Sequence, residues 1–276
     1  MTTQSADTST TQWHRLLGTL LEYFLTPVGI EVSTHVEVMS TPPAADILLL
    51  RRHDAHWSEE QKARLPDGIR DSAASHVLIE FKYTQSFNEL ALRQAIGYDY
   101  FYQMARELKR HEVQTVVVSA KTPQQATLAE FGYELAGYPG VFRSRYALVK
   151  HVVLLAANDL ADAPHNAPIK CFASRKPVKQ QALTQLYAKA WDNTSSTFWW
   201  LLDGLFTYWF KRQGGENMPQ EQVITPEFIT QLGKQMVNRI LATIPPEEVL
   251  RPVSYTHLRA HETVLDLVCR LLLDKK

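Results

Sequence analysis

The stretch His76-Val-Leu-Ile-Glu-Phe-Lys-Tyr83 decides the fold. Its composition predicts a β-strand, in which successive side chains point to opposite faces of a sheet. One face carries only large apolar side chains: Val77, Ile79, Phe81 and Tyr83. The other face carries Glu80 and Lys82, a carboxylate and an ammonium two residues apart. We therefore predict a strand that packs on a core with one face and presents a charged pair on the other.

The segment that begins at Ser86 predicts a helix. Residues at three- and four-residue spacing form one stripe, expected to face the sheet: Leu90, Gln94, Tyr98, Phe101, Ala105 and Leu108. Gln94 and Tyr98 interrupt this stripe with polar groups near the strand. A charged pair on a strand beside polar groups on the next helix is typical of an active site.

An acidic residue opens the apolar run upstream. Asp46 follows Pro42-Pro43-Ala44-Ala45 and precedes Ile47-Leu-Leu-Leu50. A carboxylate at the start of a buried strand is costly unless it is paired or bound to a metal. If this strand pairs with the 76–83 strand, Asp46 and Glu80 can meet. Mg²⁺ suits such a pair, since it commonly uses one or two protein carboxylates.

In this order, Asp46, Glu80-Phe81-Lys82 and Gln94-x-x-x-Tyr98 resemble the motifs of the PD-(D/E)xK nuclease superfamily. The Gln-x-x-x-Tyr element resembles its RecB-like branch, whose Gly-x-x-x-Glu element is matched by Gly18-Thr-Leu-Leu-Glu22. The resemblance covers residues 13–120. The sequence departs from the family's pattern because no proline adjoins Asp46 and because a long polar insert, residues 53–75, separates Asp46 from Glu80.

The resemblance implies a restriction-endonuclease-like fold, with a mixed central α/β sheet flanked by helices. It implies metal-dependent hydrolysis of phosphodiester bonds, in DNA for most of the superfamily. Asp46, Glu80 and the backbone carbonyl of Phe81 would hold Mg²⁺ or Mn²⁺. Glu22 would be a further acidic ligand; the alternative for Glu22 is a solvated acid on the outer face of its helix.

The resemblance also implies roles for three further residues. Lys82 would orient the nucleophilic water or stabilise the charge on the phosphate, and Gln94 and Tyr98 would position the scissile strand or Lys82. Two other hypotheses stay open. The chain could be a catalytically silent nuclease-fold module that binds nucleic acid or protein, or Glu80 and Lys82 could be a surface ion pair with little effect on stability.

Composition narrows the class of protein. The chain has 276 residues, 45% of them hydrophobic, and a formal net charge of zero, so any surface that binds nucleic acid must be local. Its two cysteines, Cys171 and Cys269, lack the spacing of a metal site or a disulfide framework. The start lacks the features of a signal peptide, and no apolar run is long enough for a membrane span. We expect a cytoplasmic protein without a membrane partner.

Changes in residue composition along the chain predict the domain organisation. We expect a disordered tail over 1–10, the nuclease-like domain over 11–174 and a helical C-terminal region over 175–251. Residues 252–276 resemble a tail found on translated sequencing artefacts, so the natural chain is expected to differ after about Arg251.

The remaining patterns predict further elements. Strands are expected over 31–39, 113–120, 141–146, 152–156 and 169–173, and helices over 11–26, 122–135, 177–190, 197–213 and 225–243. Thr122 is the predicted N-cap of its helix, with Pro123 at the first position. The helix 197–213 is aromatic on all sides, which favours packing over stacking on bases, and it could dock a protein partner or a second copy.

Several cations are candidates for phosphate contacts. Arg51, Arg52 and Arg93 lie near the predicted site in the sequence. A basic run covers 170–179, for which a solvated linker is the expected structure.

Overall fold

The computed structural model describes residues 12–34, 47–54, 56–188, 195–211 and 224–243. The chain divides into two compact units. We call residues 12–193 the sheet unit, and residues 194–276 together with 1–11 the helical unit. Asp46, the tail 1–10 and the segment 252–276 lie outside the described residues, so the expectations for them stay predictions.

The sheet unit alternates strands and helices along the chain. Its strands are β1 (Glu31–Ser33), β2 (Ile47–Arg51), β3 (His76–Lys82), β4 (Val113–Ser119), β5 (Tyr133–Leu135), β6 (Val141–Ser144) and β7 (Val152–Ala156). Its helices are α1 (Trp13–Leu25), α2 (Glu59–Lys62), α3 (Glu89–Arg106), α4 (Gln125–Glu130), α5 (Ala167–Lys170) and α6 (Lys176–Ala188).

The described strands form one seven-stranded sheet in the order β1-β2-β3-β4-β7-β6-β5. The central strands β3, β4 and β7 are parallel, and the outer strands pair antiparallel. Short connections join the antiparallel strands β5, β6 and β7, the long insert 52–75 joins β2 to β3, and the parallel centre requires crossovers such as α3. A mixed sheet flanked by helices is therefore confirmed as the architecture of this unit.

Side chains alternate between the two faces of β3, and the two faces pack against different parts of the unit. Val77 and Ile79 are fully buried, and the Phe81 ring packs edge-on against Phe172 at 5.7 Å between ring centroids. On the other face Leu78 pairs in register with Thr115 of β4, and α3 covers this face because the β3–α3–β4 crossover folds back on the sheet.

The phase of α3 differs from the predicted stripe. Asn88 caps the helix, its side chain accepting a hydrogen bond from the Ala91 backbone N–H at 2.9 Å. Leu90 is 58% exposed and Phe101 is 43% exposed, so the predicted stripe is wrong for these residues. The buried face is rotated by about one residue and consists of Ala91, Leu92, Ala95, Asp99 and Tyr102. Its two alanines let the helix lie close to the sheet, which larger side chains would prevent.

The polar insert 53–75 belongs to the core rather than to a loop. Leu65 and Ile69 are fully buried. Polar side chains fix the segment to α1 and to the turn that follows it: Arg64 Nη1 donates to the Phe24 carbonyl at 3.0 Å, and Gln61 Nε2 donates to the Val28 carbonyl at 3.0 Å. These buried polar groups are tolerated because each is hydrogen-bonded.

The predicted strand over 169–173 is wrong. The segment is the helix α5, whose turn continues through a hydrogen bond from the Cys171 N–H to the Ala167 carbonyl at 2.9 Å. Pro168 lies in the first turn of this helix, where its missing N–H has no cost. A short buried apolar run cannot be assigned to strand or helix by periodicity alone.

The helix predicted over 122–135 is also shorter than expected. α4 begins after Gln124, and the predicted cap Thr122 lies before the helix, its hydroxyl donating to Asp159 Oδ1 at 3.3 Å. The helix ends at Glu130, and Gly132 then adopts a left-handed conformation with φ of 65°. Tyr133 can therefore begin β5 and bury its ring in the core.

The helical unit contains α7 (Ser196–Phe206), a π-helical turn (Thr207–Lys211) and α8 (Pro226–Thr243). Ser195 caps α7, its hydroxyl oxygen accepting a hydrogen bond from the Phe198 backbone N–H at 3.3 Å. A Cβ added to Gly204 would lie 1.9 Å from the Ile229 carbonyl oxygen, and one added to Gly233 would lie 1.9 Å from the Trp200 carbonyl oxygen. The two helices therefore cross in backbone contact. Across the described ranges, no helix combines the length and apolar character that a membrane span requires.

Candidate active site

The structure brings three of the predicted site residues together at the end of β3. Lys82 Nζ lies 2.6 Å from Glu80 Oε1 and donates to Gln94 Oε1 at 2.8 Å. Glu80 and Lys82 share a face because they are two residues apart in a strand. Gln94 lies on the second turn of α3, which packs over that face. Of the two polar residues predicted on this helix, Gln94 contacts the strand pair.

The ion pair is withdrawn from water. The side chains of Glu80 and Lys82 are 7% and 14% exposed, and β3 lies inside the sheet between β2 and β4. The hypothesis of a surface pair is therefore wrong. Removing one partner of a buried ion pair leaves an uncompensated charge, which typically costs about 3–5 kcal/mol.

Tyr98 lies one turn beyond Gln94 on α3. Its ring is partly buried and packs against a cluster of Leu78, Tyr102 and Val113. Gln94 thus contacts Lys82, whereas Tyr98 packs against Leu78 in the first half of β3.

The other predicted metal ligands stand in different surroundings. Glu22 is exposed on α1, whose Trp13 stacks on Tyr83 with 3.7 Å between ring centroids, on the apolar side of β3. Asp46 lies outside the described residues, but Ile47, the next residue, pairs in register with Glu80. In the part of the chain that the structure describes, no three His, Cys, Asp or Glu side chains are grouped to hold a metal ion.

Asp99 is a buried acid that the sequence pattern missed. Its carboxylate accepts hydrogen bonds from Thr115 Oγ1 at 2.6 Å, from Gln103 Nε2 at 2.7 Å and from Arg110 Nη1 at 3.0 Å. These bonds connect α3 to β4 and to the turn before it. The correct phase of the helix would have revealed Asp99, because it lies four residues after the buried Ala95.

His151 extends the network around Asp99. Its Nε2 lies 3.5 Å from Asp99 Oδ2. Burial lowers the pKa of His151 and nearby Arg110 lowers it further, against the opposing effect of Asp99. The imidazole is therefore neutral near neutral pH, and the Asp99 charge is compensated chiefly by Arg110.

The basic run 170–179 is not a solvated linker. Lys170 and Lys179 are both buried. Lys170 pairs with Asp162 and donates to the Leu160 carbonyl at 2.6 Å. Lys179 Nζ donates to the Tyr83 hydroxyl at 3.0 Å. The run therefore anchors α5 and α6 to the sheet.

Lys179 has an unusual protonation equilibrium. Burial lowers its pKa to about 8, while the neighbouring Cys171 acts in the opposite direction. Burial also raises the pKa of the Cys171 thiol, so this sulfur is protonated at neutral pH.

The three arginines near the site differ in exposure. Arg52 is buried, donates from Nη2 to the Ala73 carbonyl at 2.6 Å and lies over the Trp57 ring, so it supports the fold. Arg51 and Arg93 are exposed and form ion pairs with neighbouring acids at 3.7 Å each.

Comparisons with models of protein families, with curated proteins and with solved structures found no match to this chain.

Proposed function

We propose that the protein is a metal-dependent nuclease that hydrolyses phosphodiester bonds in nucleic acid, with DNA as the favoured substrate. The observation that carries the proposal is the contact of Lys82 Nζ with both Glu80 Oε1 and Gln94 Oε1. A buried carboxylate, an ammonium and an amide converge at the end of a parallel strand. Such polar groups are expensive to bury, which favours a functional explanation.

The order of elements supports the same proposal. The described chain runs helix α1, strands β1 to β3, helix α3 and strand β4, with Glu80 and Lys82 on β3 and Gln94 on α3. This is the order that the resemblance to the PD-(D/E)xK superfamily implies.

The donor set suits a hard divalent cation. Glu80 supplies a buried carboxylate. Mg²⁺ needs only one or two protein carboxylates and fills its remaining positions with water and phosphate oxygens. Glu80 and Asp46 would hold the ion, with the Phe81 carbonyl as a further oxygen. When bound, it would lower the pKa of a water and stabilise the phosphoryl charge.

The side chains of this cluster have distinct roles in the proposal. The Lys82 ammonium stabilises negative charge on the phosphate in the transition state, in a site where little water screens it. Gln94 holds Lys82 through its amide oxygen and fixes the direction of the ammonium. Tyr98 packs against Leu78, Tyr102 and Val113, and so helps to hold α3 on the sheet.

Cleavage of labelled single-stranded DNA, double-stranded DNA and RNA by the full chain tests the proposal. We expect hydrolysis with Mg²⁺, none with excess EDTA and none by the Glu80→Gln variant. Glu89→Gln is the matched control, because Glu89 is an exposed acid at the start of α3. Circular dichroism establishes that each variant is folded.

The same experiment separates the enzyme from a silent nuclease-fold module. A module would bind one of the nucleic acids without cleaving any of them at any Mg²⁺ or Mn²⁺ concentration. Equal cleavage by Glu80→Gln and the wild type would also refute the assignment of Glu80.

A further inference from the structure

The carboxyl ends of β3, β4 and β7 lie at one edge of the sheet, because these strands are parallel neighbours. Backbone hydrogen bonds join the segments that continue from that edge. The Ala120 N–H donates to the Lys82 carbonyl at 2.9 Å, and the Ser174 N–H donates to the Ala120 carbonyl at 2.9 Å. The segments that follow β4 and precede α6 therefore extend directly from the candidate active site.

We call three segments at this edge the polar edge: residues 121–122, 158–159 and 174–176. The buried Asn158 joins them. Its Nδ2 donates to Ser174 Oγ at 2.9 Å and to Thr122 Oγ1 at 3.4 Å, and its Oδ1 accepts from the Arg175 N–H at 3.0 Å. A single buried amide thus holds the three segments in one arrangement. A surface that is ordered before it binds loses less conformational entropy on binding.

The polar edge carries more positive than negative charge. Lys121, Arg175 and Lys176 are exposed, against one carboxylate, Asp159, which lies 3.7 Å from Arg175 Nη1. Exposed ion pairs of this kind contribute little energy, so Asp159 does not fix the Arg175 guanidinium in place. The Lys121 carbonyl accepts from Ser119 Oγ at 2.7 Å, which orders the turn that presents the lysine.

We propose that the polar edge binds the phosphate backbone of nucleic acid next to the bond that is cleaved. This inference rests on the proposed function, since it takes Lys82 as the residue at the scissile phosphate. Lysine, arginine, threonine and serine side chains beside backbone N–H groups are the usual partners of phosphate oxygens. Recognition is expected to be independent of base sequence, because these groups contact no base.

The test measures binding without cleavage. Fluorescence anisotropy of end-labelled DNA is followed in EDTA over a series of salt concentrations, with the full chain. The Lys121→Ala, Lys176→Ala double variant removes two exposed cations from the polar edge. The control, Lys109→Ala with Lys150→Ala, removes two exposed lysines that precede β4 and β7, at the opposite edge of the sheet.

We expect the slope of log affinity against log salt to lose about 1 per cation in the polar-edge variant, and nothing in the control. Equal losses in both variants, or no loss in either, would overturn the inference. So would polyglutamate competing as well as unlabelled DNA at equal charge concentration, since the surface would then recognise acidic chains in general.

The outcomes also separate this inference from the proposed function. Cleavage by the wild type with unchanged binding by the polar-edge variant would refute the inference alone. Binding at the polar edge without cleavage at any Mg²⁺ concentration would refute the proposed function alone.

Discussion

The two sides of the β3 terminus hold two lysine amines in opposite chemical settings. Lys82 Nζ lies between a carboxylate and an amide oxygen, at 2.6 and 2.8 Å. Lys179 Nζ donates to the Tyr83 hydroxyl at 3.0 Å, and burial lowers its pKa to about 8. One side of the strand thus compensates a buried positive charge, whereas the other penalises it. The comparison teaches that burial alone does not determine the state of a lysine amine, because the groups that contact it decide whether its charge is compensated.

The largest expected difference between the two lysines is in the rate of cleavage when each is replaced by methionine. Lys82→Met should reduce cleavage by about 10²–10³-fold, the usual cost of one group that stabilises transition-state charge. Lys179→Met should leave the rate of cleavage within about twofold of the wild type, because its amine faces the scaffold. Rates are measured under single-turnover conditions with Mg²⁺.

Thermal unfolding of both variants accompanies the rates, so that lost activity is not confused with lost structure. Similar rates for the two folded variants would contradict the distinction between the two sides of β3.

The dependence of the free energy of unfolding on pH tests the assignment for Lys179. Between about pH 8 and the ordinary lysine pKa of 10.5, the unfolded chain binds a proton at Lys179 that the folded chain has lost. Lys179 therefore adds to the free energy of unfolding as the pH rises through this window, by at most about 1.4 kcal/mol per pH unit. Below pH 8 the penalty for burying the charge is fully present. Lys179→Met should remove this increase, as measured by denaturant unfolding.

Lys176→Met is the matched control for this measurement, because Lys176 lies on the same helix and is exposed. The assignment is wrong if both variants retain the slope of the wild type.

A smaller effect on catalysis is expected for Gln94, on the charged side of β3. Gln94→Ala removes the oxygen that orients Lys82 and should lower kcat by about tenfold, equivalent to about 1.4 kcal/mol. KM should stay nearly constant, because the interaction acts on the ammonium rather than on substrate binding. Met104→Ala, an exposed change on the same helix, serves as the control. A rise in KM with unchanged kcat would show instead that Gln94 contacts the substrate.

The smallest predicted effect concerns the scaffold side. Tyr83→Phe deletes the hydroxyl that accepts from Lys179 and keeps the ring that stacks on Trp13. The free energy of unfolding should fall by about 1 kcal/mol, the usual net value of one hydrogen bond. A double-mutant cycle with Lys179→Met measures the coupling between the two groups. No coupling would mean that the hydroxyl and the amine do not interact in solution.

Residues 76–83 show what a sequence pattern can predict. The period of two separated Val77 and Ile79 from Glu80 and Lys82, and the structure confirms both faces. Placing a strand and the next helix side by side predicted that Gln94 lies near this strand, and the structure shows it bonded to Lys82. Such inferences succeed because a strand fixes the direction of each side chain.

Other features depend on contacts that are distant in the sequence. The phase of α3 was mispredicted because Leu90 and Phe101 are apolar but exposed, while the buried face relies on small alanines. Asp99 was missed together with this phase, and its partners on β4 and in the turn at Arg110 are distant from it in the sequence. The burial of Lys179 likewise requires the fold, since nothing in a basic run indicates which amine is covered.

Titration of Mn²⁺ into the full-length wild type and the Glu80→Gln variant, followed by calorimetry, tests the central claim most directly. The account predicts a binding heat in the wild type and in Lys179→Met, and its loss in Glu80→Gln. No binding by the wild type, or equal binding by Glu80→Gln, would contradict the claim that the Glu80 side of β3 is a metal-dependent site.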